Sequence, residues 1–205
     1  DVGADVMQKT TANTPLDRVL TMIQPRSPYS RELARSTKQQ LGEQRWASQL
    51  TSVVKTASAS PERRARALEL LQVYGPVPTE ALLSSLRGDP SWEVRAASTY
   101  YLGLKPTDSA RRELAARLGD SDPFVQRRAA EALLRTGIVP AMAVPFDPVA
   151  TVMPLLASPD RLVRYSARKL LNQIDSNRWK EAAFTTTGFP QATEALMGYL
   201  ETYNS

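Results

Sequence analysis

Apolar and small residues recur at helical spacing in three stretches of this 205-residue chain: Val94, Ser98, Tyr101 and Leu102; Val125, Ala129, Ala132 and Leu133; Val163, Ala167, Leu170 and Leu171. Offsets of three and four residues put each set on one face of an α-helix. A fourth set, headed by Arg63 and running through Ala67 to Leu71, follows the same plan. The heads Arg63, Val94, Val125 and Val163 lie 31, 31 and 38 residues apart, and a period of that length marks a stacked repeat array. Polar residues set the helix starts. Ser60, Ser91, Asp122 and Asp160 stand where a side-chain oxygen caps the first turn, and Pro61 and Pro123 take the first helical position, where no N–H is missed. Gly75, Gly103 and Gly137 fall where three of these helices should end, as C-terminal caps in the left-handed conformation.

Each patterned helix needs a partner, and the preceding segments supply one: about Pro78 to Arg87, Thr107 to Leu118 and Pro148 to Leu156, with Pro154 expected to kink the last or shift its start. Short turns such as Arg87-Gly88-Asp89-Pro90 then make neighbours antiparallel. Upstream, Thr14-Pro15 opens a helix to about Ile23, Ser27-Pro28 opens one to about Leu41, and Glu43 to Lys55 supplies the partner of Pro61 to Tyr74, with Trp46 and Leu50 on one face. Downstream, helices over about 177–184 and 190–203 should cover the end of the array, the second turning Leu196, Tyr199, Leu200 and Tyr203 inward. The expectation is an all-α fold, an α-solenoid of antiparallel helix pairs. It forms a single helical domain over 1–205, with capping helices at 1–42, four repeats at 43–175 and capping helices at 176–205.

The runs Asp89-Pro90-Ser91-Trp92-Glu93-Val94-Arg95-Ala96-Ala97 and Asp122-Pro123-Phe124-Val125-Gln126-Arg127-Arg128-Ala129-Ala130-Glu131-Ala132-Leu133 resemble HEAT repeats of the short, phycobilisome-lyase type. The resemblance extends over about 60 to 175 and implies an α-solenoid whose second helices line the concave face. It implies no single activity, because such repeats serve as scaffolds, regulatory subunits, chromophore-lyase subunits and, in divergent forms, DNA glycosylases.

Composition removes several chemistries. Cys and His are both absent, so disulfides, thiolate catalysis and imidazole-based proton transfer or metal ligation are excluded. Asp and Glu show no calcium-loop spacing, and no phosphate loop or nucleophile elbow occurs. The expectation is a protein that is no enzyme, with no catalytic residues, no metal and no cofactor. Apolar runs stay far short of the roughly 20 residues a membrane helix needs, which predicts a soluble chain. It opens Asp1-Val2-Gly3 without a Met, as a processed product or a piece of a longer polypeptide would, so it assigns no compartment. A net charge of +5 and a pI near 9.6 permit a polyanionic partner, with the charge spread through the chain.

Positions two, three and six after each repeat head are expected to face outward on the concave side: Ala65, Arg66 and Glu69; Ala96, Ala97 and Tyr100; Arg127, Arg128 and Glu131; Tyr165, Ser166 and Lys169. Arg66, Tyr100, Arg127, Arg128, Tyr165 and Lys169 are the candidate contacts for a partner. Interleaved Glu69 and Glu131 favour a mixed-charge protein-binding face, so the expectation is a non-catalytic scaffold or adaptor that binds a protein partner through its concave face; the alternatives are a basic concave groove with aromatic platforms for nucleic acid and a merely solvated face. One position after the head, Arg64, Arg95, Gln126 and Arg164 form either an anion-binding ladder or, on the favoured reading, a structural ladder paired with turn acids such as Asp89, Asp122 or Asp160. The longer interval before Val163 falls in the Pro-rich segment 138–148, which either presents Met142, Val144 and Phe146 to a partner or folds back over the ridge. Trp46, Trp92 and Trp179 read as core or cap packing.

Overall fold

The computed structural model describes residues 14–136 and 147–203. All regular structure among them is helical, in two compact units that meet in sequence between Pro78 and Thr79.

The first unit holds α1 (Pro15–Leu20), α2 (Pro28–Leu41), α3 (Glu43–Lys55) and α4 (Pro61–Tyr74). Its helix starts follow the predicted chemistry: Thr14, Ser27 and Ser60 each accept from the N–H three residues on, and each is followed by proline. Trp46, Leu50 and Val54 of α3 are fully buried, and Ala67, Leu68 and Leu71 of α4 join them. Burial on this scale contributes about 1.5–3 kcal/mol for each large side chain. Arg63 departs from the valine that heads the later repeats because α1 packs on α4 and offers Asp17 to it. The hydrogen bond from Arg63, with another from Thr14, holds the Asp17 carboxyl below the usual carboxylate range. Gly75 has the positive φ expected of it, 76°, with an extended ψ of 168°; its carbonyl then accepts from Trp46 Nε1 at 2.9 Å.

The second unit runs α5 (Glu80–Ser85), α6 (Trp92–Leu102), α7 (Asp108–Arg117), α8 (Pro123–Thr136), α9 (Pro148–Thr151), a 3-10 turn at Met153–Ala157, α10 (Arg161–Leu171), α11 (Lys180–Thr185) and α12 (Gln191–Tyr203). Helices pair as α5 with α6, α7 with α8, and the α9 and 3-10 segment with α10, while α6 and α10 both pack on α8. Ser91, Asp122 and Asp160 cap the second helix of each pair as expected. Small residues at the helix centres, Ser98, Ala129 and Ala167, are completely buried, as are the closing leucines Leu102, Leu133 and Leu171. Pro154 breaks its helix outright, leaving one α-turn and the 3-10 turn.

Three expectations fail here. Gly103 is not a left-handed cap: its φ of −65° is helical, and what demands glycine is space, because a Cβ there would stand 2.5 Å from Ala132 Cβ on α8. Gly137 lies outside the described residues. On α12, Leu196 and Leu200 point outward whereas Tyr199 sets its ring edge-on to Trp179 and Phe184; the Tyr203 side chain lies outside what is described. The buried face is Ala195 and Gly198, so the backbone approaches α10 closely while Glu194 and Glu201 pair with Arg168. Small residues and ion pairs thus fix the α10–α12 contact, which leaves no room for the leucines. Last, Ala96 and Ser166, expected outward, are buried against the neighbouring helices.

Candidate interaction face

The ladder position resolves first. Arg95 Nη1 donates to the carbonyl of Asp89 at 2.9 Å, Gln126 Nε2 to that of Asp120 at 2.7 Å, and Arg164 Nη1 to that of Ser158 at 2.8 Å. In all three the side chain reaches the carbonyl six residues before it, satisfying the turn that joins the helices of a pair. Arg64 donates likewise to the carbonyl of Val54 at the end of α3. The ladder is structural, but its acids differ from those expected. Arg95 makes two 2.8 Å bonds to Asp120 of the following turn, which raises its pKa further, and Arg164 leans on Glu194 at 3.4 Å. Asp122 and Asp160 are occupied in capping.

Outward of this ladder, α6, α8 and α10 carry a band of rings under cations, Tyr100 and Tyr165 exposed and Phe124 half-buried. Arg127 and Arg128 lie 4.9 and 5.0 Å from the ring centre of Phe124; Arg128 and Arg135 lie 5.8 and 5.7 Å from that of Tyr100. On α10, Arg168 and Lys169 stand 5.5 and 5.7 Å from the ring of Tyr165. Such contacts contribute about 0.5–1 kcal/mol each at exposed sites. Tyr100 and Tyr165 keep 41% and 50% of their surface in water, so the rings are held yet accessible. Carboxylates balance the cations: Glu131 pairs with Arg127 at 3.3 Å and Arg128 at 3.2 Å, and Glu201 pairs with Lys169 at 3.0 Å. Burial alone would raise the Glu201 pKa, but hydrogen bonds from Lys169 and Asn172 and the charge of Arg168 bring it below the ordinary value.

Of the predicted contacts, Tyr100, Arg127 and Arg128 come together across α6 and α8, and Tyr165 and Lys169 come together on α10. Arg66 lies on α4 of the first unit, paired with Glu69. Met142, Val144 and Phe146 lie outside the described residues. Sequence reasoning missed Phe124 and Arg135, and it assigned Trp92 to packing. Trp92 is 42% exposed and sets its ring edge-on to Phe124 with centroids 5.5 Å apart. The signal for Arg135 was its place two turns after Arg128 on one helix face.

A family model of HEAT repeats matches residues 79–171. Those residues are HEAT repeats. The match takes in the three helix pairs from α5 to α10, and the α3–α4 pair falls outside it. HEAT repeats generally serve as protein-interaction scaffolds, and such an all-α solenoid is typically non-catalytic. No curated protein matches the chain. Among the described residues no helix is long and apolar enough to cross a membrane.

Proposed function

We propose that the second unit is a non-catalytic scaffold that binds a protein partner through the outer face of its second helices, with Trp92, Tyr100, Arg127, Arg128, Tyr165 and Lys169 as contacts. One observation carries this reading: the exposed rings are clamped by cations that are themselves paired with Glu131 and Glu201. Pre-ordered Tyr, Trp and Arg side chains are the types that dominate binding energy at protein interfaces, because little side-chain freedom is left to lose. A nucleic-acid backbone would have to displace those carboxylates before its phosphates reached Arg127, Arg128 or Lys169, so the balanced charge favours a protein. The α3–α4 pair is a fourth, divergent repeat on this reading, supported by the buried Ala67 and Leu71 at equivalent positions and by Arg64 on a preceding carbonyl.

Affinity capture with the wild-type chain, set beside Tyr100→Ala and the double substitution Arg127→Glu with Arg128→Glu, tests the face. A partner held by this surface should bind Tyr100→Ala about tenfold more weakly and be lost from the double variant. Capture unchanged by both would remove the face. Low-salt gel shifts with duplex DNA provide the contrary outcome, since binding that collapses steeply with added salt would signal phosphate contacts.

A further inference from the structure

The first unit contains a cleft of about 500 Å³ between the start of α2 and the outer face of α4. Its rim is arginine and its floor apolar. Arg26, Arg31 and Arg35 line one side, Arg66 faces them, and Leu70 and Val73 form part of the base. Val73 leaves 63% of its surface in water, although α4 otherwise turns its leucines inward. The acids nearby do not balance this charge. Glu69 is engaged by Arg66, and Glu32 meets Arg35 only at 4.0 Å with both side chains largely exposed. Neither the Arg26 nor the Arg31 guanidinium has a hydrogen-bond or ion-pair partner among the described residues.

We infer that this cleft is a docking site for an acidic peptide segment of a partner protein, one in which carboxylates flank an aliphatic side chain. Placement separates this ligand from a phosphate group. Arg31 and Arg35 are one helical turn apart, roughly 5–6 Å between Cβ atoms, which suits successive carboxylates along an extended chain; a single phosphate would need donors converging on one point. The exposed Val73 and the apolar atoms of Leu70 give the intervening aliphatic side chain something to cover, and a half-open cleft of this volume accepts one or two side chains without enclosing a whole ligand. Guanidinium groups at an open rim act mainly by attracting the segment and setting its register. The site is independent of the face proposed on the second unit.

The test uses the purified full chain and a fluorescein-labelled peptide of alternating glutamate and leucine, with fluorescence polarisation at low salt. Saturable binding is expected. It should weaken about tenfold or more in the double variant Arg31→Glu with Arg35→Glu, weaken also in Val73→Asp, and fall with added salt. Both arginines are exposed, so the double variant should melt with the wild type, and circular dichroism verifies this. A lysine–leucine peptide should not bind. No saturable binding of the glutamate peptide, or binding indifferent to both variants, would overturn the proposal; displacement by inorganic tripolyphosphate at concentrations equal to the peptide's would also overturn it, assigning the cleft to phosphate. Since the readout needs no natural partner, its failure leaves the second-unit face untouched, and failed partner capture leaves this cleft untouched.

Discussion

Arg117 offers the sharpest test of how the repeats are held together. Its side chain is 99% buried at the end of α7, yet every nitrogen is engaged: Nη1 donates to Ser98 Oγ at 2.7 Å and Thr99 Oγ1 at 2.8 Å, Nη2 to the carbonyl of Leu83 at 2.7 Å, and Nε to Glu113 at 3.2 Å. Burial lowers the Arg117 pKa, with the charge of Glu113 opposing, but an arginine stays protonated. Replacement by Met keeps most of the volume and removes the charge. Two consequences compete. Relief of guanidinium desolvation favours the variant, whereas the Leu83 carbonyl keeps only a 3.4 Å contact from Leu86 N–H. The hydroxyls are less exposed to loss, because Ser98 and Thr99 already donate to the Arg95 carbonyl at 2.9 and 2.7 Å. Glu113 keeps Arg87 at 3.3 Å. One nearly orphaned carbonyl costs about 1–3 kcal/mol and each lost charge-assisted bond about 1.5–3 kcal/mol, partly offset by desolvation, so Arg117→Met should destabilise by about 2–3 kcal/mol. At roughly 2–4 °C per kcal/mol for a chain of this size, the thermal midpoint should fall by about 5–10 °C in a circular-dichroism melt. Arg117→Lys should fall similarly, since one ammonium cannot serve α5, α6 and Glu113 together. Wild-type or higher stability in Arg117→Met would show that desolvation outweighs the network and refute the reasoning.

Gly103→Ala, ordinarily a stabilising exchange at a helical φ, should here cost about 1–3 kcal/mol because the new methyl overlaps Ala132; the same melt reads it. Asp120→Ala removes both bonds from Arg95 and the one from Asp122 N–H, and should cost about 2 kcal/mol, whereas Asp120→Asn, which keeps an acceptor, should lose less. Asp17 and Glu201 both titrate below their ordinary values when folded, so the stability they supply is complete above those values and is lost as acid protonates them through the lowered ones. Thermal midpoints should therefore drop below about pH 4, and the drop should be shallower in Asp17→Asn with Glu201→Gln; an unchanged slope would contradict the assignment.

What the sequence made legible was local. A cap oxygen acts within three residues and a helix face repeats every three or four, so Ser60, Ser91, Asp122 and Asp160 marked true starts and the closing leucines marked true core. Arg117 stayed hidden because its partners other than Glu113 lie 18, 19 and 34 residues away on other helices, and at its own position it reads as a surface arginine in a last turn. Gly103 looked like a cap because a glycine after a helix usually is one, and only the approach of α8 shows that bulk decides there. Leu196 and Leu200 have the spacing of a buried face, but Gly198 and the pairing of Glu194 and Glu201 rotate α12 away from it. The candidate contacts Tyr100, Arg127, Arg128, Tyr165 and Lys169 were named by repeat position; neutralisation of Arg127 and Arg128 by Glu131 could be read alongside them, but that of Lys169 could not, since Glu201 comes from beyond the repeats.

The ladder explains why the outward positions can vary. Across three repeats the side chain one place after the head does the same work on a carbonyl six residues back, and Gln126 does it without charge. Geometry is therefore the conserved demand of that turn, and the extra charge of Arg95 and Arg164 becomes useful only where Asp120 or Glu194 is within reach. Because the turn is satisfied from inside the pair, the exposed residues among those two, three and six places after the head are not needed to satisfy its carbonyls. That separation lets Ala97, Arg128 and the buried Ser166 occupy equivalent places without disturbing the stack. A surface relieved of structural duty in this way can change its pattern of rings and charges while the helices beneath keep their register, which is the physical condition for a repeat scaffold to acquire a specific partner.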